Sequence, residues 1–203
     1  MKYEKAIYEK KDKKRQIEKD IVKRCLRHGI KGKYIGLTGP AWDTHLKTWG
    51  SVAKTFQSIE LDKGVYLSQR HQYNNIENKK GIKIPIWSDI FKYLLDYKGK
   101  VAILDIDLCG LYDTFEDKVY TSVEKLLRNN QFTFKCALVV CFSTRGNVTC
   151  DVSTLTGLFI DDIKKLFKQH GYNRCYGADA EPYKEGIGHS PMIEFTFYFE
   201  RRY

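Results

Sequence analysis

Residues 174–199, RCYGADAEPYKEGIGHSPMIEFTFYF, decide the fold. Two apolar runs, 174–178 and 192–199, read as strands, and the link between them, EPYKEGIGHSP (181–191), is polar, glycine-rich and too short for a helix. Strands joined this way must pair antiparallel, because a parallel crossover needs a dozen or more residues and usually a helix. Upstream the pattern differs. Short apolar runs at 34–37, 58–61, 82–86, 101–107 and 136–143 alternate with amphipathic stretches near 42–54, 64–75, 88–97, 115–129 and 156–170, the last stopped by Gly171. Strands separated by helices build a parallel sheet covered on both faces. The expected fold is α/β, a doubly wound seven-stranded sheet, mostly parallel, with a reversed last strand.

Ahead of the sheet, residues 3–28 contain no Gly or Pro, and Ile17, Ile21, Val22, Cys25 and Leu26 recur at helical spacing before Gly29. The chain thus divides into a basic helical segment, 1–30, and a globular domain, 31–203. The formal net charge of +10 is concentrated at this end: residues 1–33 hold 13 Lys or Arg against 5 Asp or Glu, and the other 170 hold 22 against 20. Such a segment attracts polyanions through counterion release, so RNA or DNA is the expected partner and Lys13, Lys14 and Arg15 are candidate phosphate contacts. A solvated helix face explains the same charges without a partner.

At 203 residues and 42% hydrophobic, one domain buries a continuous core. No apolar run is long enough for a bilayer and the first residues lack the apolar stretch of a signal sequence, so a cytoplasmic protein without membrane contact is expected. The six cysteines, at 25, 109, 136, 141, 150 and 175, form no Cys-x-x-Cys pair and have no matching His pair, so no zinc or other metal site is expected.

In a doubly wound sheet the ligand lies beyond the carboxyl ends of the strands, so the strand ends carry the function. The first is followed by Gly36-Leu37-Thr38-Gly39-Pro40-Ala41, a small-residue loop through which backbone approaches a ligand. The second ends in Glu60, 21 residues beyond Gly39, where a carboxylate accepts both hydrogen bonds of a ribose diol. After the third come Ser88, Asp89 and Ile90, where Ser88 or Asp89 also suits a helix cap. The fourth, VAILDIDLCG (101–110), sets Asp105 and Asp107 two residues apart on one side of a buried strand, an expensive arrangement unless a ligand or a network offsets the repulsion.

Together these features resemble the class I Rossmann-like S-adenosylmethionine-dependent methyltransferases. The resemblance implies strand order 3-2-1-4-5-7-6 and S-adenosylmethionine as cofactor, held by Gly36, Thr38, Gly39, Pro40, Glu60 and Asp105, with Asp89 on the adenine amino group and Ile90 on the ring. The segment Asp107-Leu108-Cys109-Gly110 is similar to the D/N-P-P-Y or D-P-F-G motif of enzymes that methylate base nitrogens. In that motif the acid and a following carbonyl hold the target nitrogen, roles that fall here to Asp107 and Leu108. The chain departs from it at Leu108, in place of proline, and at Cys109, in place of an aromatic.

Tyr112 or Phe115 offers the missing stacking surface for an extruded base, and Arg145 a phosphate contact. Cys109 as a nucleophile for carbon methylation is the weaker reading, since two nearby carboxylates raise a thiol pKa. The function implied is methylation of nucleic acid at a base nitrogen. Two alternatives stay open: a non-catalytic nucleotide- or nucleic-acid-binding protein on the same fold, and methylation of a small molecule or protein.

Overall fold

The computed structural model describes residues 2–143, 152–184 and 191–202, with side chains described except at 2–12, 109–113, 152, 153, 155, 184 and 191. The elements are α1 (Lys2–His28), β1 (Gly32–Leu37), α2 (Trp42–Trp49), β2 (Ala53–Glu60), α3 (Lys63–Asn74), β3 (Ile86–Trp87) and α4 (Ile90–Asp96), followed by β4 (Val101–Leu111), α5 (Tyr112–Arg128), β5 (Phe132–Ser143), α6 (Val152–Gln169), β6 (Arg174–Lys184) and β7 (Pro191–Glu200). They form one sheet of order β3-β2-β1-β4-β5-β7-β6, in which β7 runs antiparallel to both β5 and β6 and the other pairs are parallel. Fold class and strand order agree with the expectation.

Alternation along the strands sends side chains to two cores. On one face Ile35, Leu104, Ile106, Leu138 and Phe195 meet Leu94 of α4, Val123 of α5 and Phe159 of α6. On the other, Tyr34, Phe56, Ile103 and Tyr198 meet Trp42 and Trp49 of α2 and Ile17, Ile21, Val22 and Cys25 of α1. The basic helix is therefore part of the core on this face. It ends in a Schellman turn, with Gly29 at φ 69° and the Ile30 amide donating to the Cys25 carbonyl at 2.8 Å. Asn130 after α5 and Gly171 after α6 also sit at positive φ and close the same pattern.

Several boundaries differ from the sequence reading. α2 stops at Trp49 and β2 starts at Ala53, where 42–54 was expected to be helical, because 55–57 pair with β1. The third strand is Ile86–Trp87, displaced from 82–86: Pro85 has no amide to donate, and Ile82 makes only an isolated bridge to Phe56. α5 begins at Tyr112 and α6 at Val152, each a few residues early. β6 runs on to Lys184, so 181–184, four of the eleven residues of the expected link, are themselves strand. Among the described residues no helix is long and apolar enough to cross a membrane.

Because Ile21 is buried between α1 and the sheet, Ile21→Ala should lower the unfolding free energy by about 2–5 kcal/mol, as for other large-to-small core changes. Urea denaturation followed by circular dichroism measures it; an unchanged midpoint would show that α1 does not share the core in solution.

Candidate active site

The loop from β1 into α2 is braced from α3. Gln69, fully buried, donates from Nε2 to the Gly39 carbonyl at 2.8 Å and to the Thr38 hydroxyl at 3.3 Å, and its Oε1 accepts from the Ser58 hydroxyl at 2.9 Å. The Thr38 and Ser58 hydroxyls lie 2.7 Å apart. One turn on, Gln72 donates to the Pro40 carbonyl at 2.9 Å and accepts from the Asp43 amide at 3.1 Å, standing in for the side-chain cap that α2 lacks. Gly39, at φ 57°, faces open space where a Cβ would be, so the loop keeps its backbone accessible. Gly36 has a packing reason: a Cβ there would come within 2.6 Å of the Tyr34 hydroxyl and 2.9 Å of the Asp105 Cβ.

At the end of β2, Glu60 is half-buried and its Oε1 accepts the nearby Asp62 amide at 3.0 Å. Asp89 caps α4, its Oδ1 accepting from the Phe91 and Lys92 amides at 2.8 and 3.1 Å. Ile90 is buried in the core with α4 rather than presented on the surface.

β4 brings Asp105 and Asp107 to the α1 face, beside Tyr34. The Tyr34 hydroxyl donates to Asp105 Oδ2 at 2.7 Å, and Lys14 of α1 forms an ion pair with Asp107 Oδ2. Among the described residues Asp107 Oδ1 is buried without a hydrogen-bond partner. Directly after Asp107 the register with β5 shifts: Asp107 pairs with Cys141 but Leu111 with Ser143, so β4 bulges at 108–110, the segment that resembles the base-methylation motif.

Further acids crowd the same spot. Glu194 of β7 pairs in register with Cys141, hence level with Asp107, and its Oε1 is also unpartnered. Glu18, one turn after Lys14 on α1, is buried 3.4 Å from His45 Nε2. The Tyr183 hydroxyl contacts Cys141 Sγ at 3.1 Å. Burial pushes the Glu18 carboxyl up to about 8 despite Lys14, and burial with the Asp107 charge pushes Asp105 up to about 7. Burial likewise raises Glu194 and, with the Lys14 charge, lowers His45 to about 4. Asp107 alone is held below the carboxylate range, Lys14 outweighing the burial that opposes it. The cluster at neutral pH is one ion pair surrounded by protonated or partly protonated acids.

Of the other expected residues, Lys13 is exposed and donates to the Pro182 carbonyl at 3.2 Å, and Arg15 lines a cleft of ≈ 100 Å³ with Lys14, Glu18 and His45. Lys14 turns inward to Asp107. Phe115 packs against the core beside Phe91. Cys109 lies in the bulge and Tyr112 opens α5, but their side chains are outside the described set; Arg145 lies outside the described residues altogether. Gln69, Gln72, Glu18 and Glu194 were not among the candidates. The signal for Glu18 was present in the spacing 14, 18, 21, 25, which puts Lys14 and Glu18 on the apolar stripe; that for Glu194 was its alternation with Met192 and Tyr198.

S-adenosylmethionine carries positive charge at sulfur and a ribose diol, and this edge offers unpartnered buried carboxylate oxygen and a lightly engaged Glu60, so the residues fit the cofactor. Among the described residues no group of three or more His, Cys, Asp or Glu is arranged to hold a metal ion.

Because Glu18 and Asp105 hold protons in the fold that the unfolded chain has released, their share of stability is complete below about pH 4, the unfolded value, and is lost as pH rises to their folded values. Stability should therefore decline between about pH 5 and pH 8, and Glu18→Gln should flatten that decline. Urea midpoints across this range check it; equal slopes for both proteins would contradict the assignment.

The sequence matches no protein-family model and no curated protein sequence. Solved structures do match in fold. A candidate methyltransferase from Escherichia coli superposes with TM-score 0.59 at 8% identity, over 93% of this chain and 87% of that one. A candidate methyltransferase from Streptococcus mutans, in complex with SAH, gives 0.56 at 13% identity, over 91% and 96%. An rRNA methylase from Streptococcus thermophilus gives 0.56 at 10% identity, over 92% and 96%. With the sheet order described above, this chain has the class I Rossmann-like fold of the S-adenosylmethionine-dependent methyltransferases.

Proposed function

We propose that the chain is an S-adenosylmethionine-dependent methyltransferase acting on nucleic acid, at a base nitrogen of RNA or DNA. The observation that carries the reading is Asp107: a carboxylate kept ionised at the point where β4 bulges, on the same edge as Glu60 and the loop at 38–40. A neighbour of the same fold is an rRNA methylase, which supports a polynucleotide substrate.

In this reading Glu60 accepts the ribose hydroxyls, the backbone at 38–40 lies against the cofactor, and Asp89 uses the oxygen not engaged by its helix for the adenine amino group. Ile90 supports that position from the core beneath. The bound cofactor supplies a sulfonium methyl group for direct transfer to a nucleophile held in line with it. Asp107 and the Leu108 carbonyl accept from the target amino group and fix its lone pair. Asp105, hydrogen-bonded to Tyr34, sets the charge behind the cofactor.

Lys14 must leave Asp107 for the base to enter. The exposed charges of the same helix, Lys13, Lys19, Lys23 and Arg27, hold phosphates, and a phosphate offers Lys14 a competing anion. If Lys14 never leaves, the chain is a binding protein on a methyltransferase fold, the reading favoured by the Lys14–Asp107 pair together with Leu108 and Cys109 in the motif.

Calorimetric titration tests the cofactor site. The wild type should bind S-adenosylmethionine and S-adenosylhomocysteine, and Glu60→Ala and Asp89→Ala should each weaken binding by about ten-fold, the cost of a lost hydrogen bond to charge. No binding by a folded wild type would overturn the proposal.

A further inference from the structure

Three tryptophans occur in the chain, and two of them, Trp42 and Trp49, are fully buried. Trp87 is 54% exposed at the edge strand β3. Its Nε1 donates to the Leu61 carbonyl at 2.9 Å, so the indole is fixed and its only polar atom is satisfied. Tyr66 of α3 stacks beside it at 6.2 Å between centroids, 23° from parallel, and Lys63 Nζ stands 5.5 Å from the ring centroid.

Single exposed apolar side chains need no explanation, but Trp87 is held against Tyr66, Lys63 and the Leu61 backbone. Leu61, Leu67, Ile84 and Trp87 are four of the eight large exposed hydrophobics among the described residues. The surrounding segment, 54–92, carries Lys54, Lys63, Arg70, Lys79, Lys80, Lys83 and Lys92 against Glu60, Asp62, Glu77 and Asp89. Aromatic faces set among cations are the chemistry that stacks bases and neutralises phosphates of a single strand. A protein interface would deplete lysine at the centre of the patch.

The platform borders the proposed ribose contact Glu60 but lies on the α3 side of the sheet. Trp87 pairs in register with Glu60, opposite in alternation to the buried Ile59, and so faces α3; Ile90, with α4, belongs to the core on the other face. β3 lies three strands from β4, about 14 Å at the usual spacing, which a few nucleotides of single strand bridge. We propose that Trp87, with Tyr66 and Lys63, stacks a base of single-stranded nucleic acid flanking the one presented to Asp107. This rests on the nucleic-acid half of the function proposed above.

The test uses the full chain with fluorescein-labelled oligo(rU) and oligo(dT), followed by anisotropy and by tryptophan emission, to which the one exposed indole contributes the accessible signal. Binding should quench that emission, and Trp87→Ala should bind about ten-fold more weakly with an unchanged salt slope. Trp87→Phe should recover most of the affinity, and Lys63→Gln should reduce the slope by about 0.7. Equal affinity of wild type and Trp87→Ala, with matching thermal melts, would overturn the platform and leave the methyltransferase proposal standing. No binding of either strand by the wild type would overturn the platform and the nucleic-acid substrate together, with cofactor binding still measurable by calorimetry. Quenching by S-adenosylhomocysteine alone, lost in Trp87→Ala, would assign the ring to the cofactor's adenine and overturn the proposal.

Discussion

The ion pair between Lys14 and Asp107 joins the two halves of this molecule. Four carboxyls, Asp105, Asp107, Glu18 and Glu194, are gathered between α1 and the sheet, and Lys14 pairs with Asp107 among them. Leaving all four ionised in a low-dielectric interior would cost far more than the fold returns, so protons remain on the acids that Lys14 does not reach. The helix that carries most of the net positive charge thus does two things. Its outer face is available to a polyanion, while its inner stripe sets the protonation of the site. A buried pair is weak evidence for stability, and its position where β4 bulges makes it a better argument for a site.

The remainder of the edge is braced by side chains of a neighbouring helix. The loop after β1 has little side chain of its own, and α3 supplies what it lacks through Gln69 and Gln72. Fixing a glycine-containing loop from a neighbouring helix reduces the ordering cost that binding would otherwise meet. The bulge in β4 turns the backbone at 108–110 away from its regular course without a proline.

Much of this was legible in the sequence, for physical reasons. The reversed last strand follows from a link too short for a crossover, and the facing of Asp105 and Asp107 follows from alternation. What was hidden depends on contacts across the fold. Gln69 looks like any polar residue on an amphipathic helix until the β1 loop is set against it. Lys14 reads as one more charge in a basic run, and only its place on the stripe of Ile21 and Cys25 marks it as inward. The third strand was misplaced because apolar residues around Pro85 resemble a strand that the missing amide cannot complete. The solved structures that share the fold do so at identities of 8–13%, too low to carry residue roles from one chain to another.

The most direct test of the account is transfer of a tritiated methyl group from S-adenosylmethionine to total RNA and to genomic DNA, comparing wild type with a folded Asp107→Ala variant. The account predicts label on one of the two polynucleotides, with the variant slower by about 100-fold, the loss typical when one oriented hydrogen-bond partner of a reaction centre is removed. Label that appears at the same rate in the variant, or a wild type that binds the cofactor and labels neither polynucleotide, would contradict it.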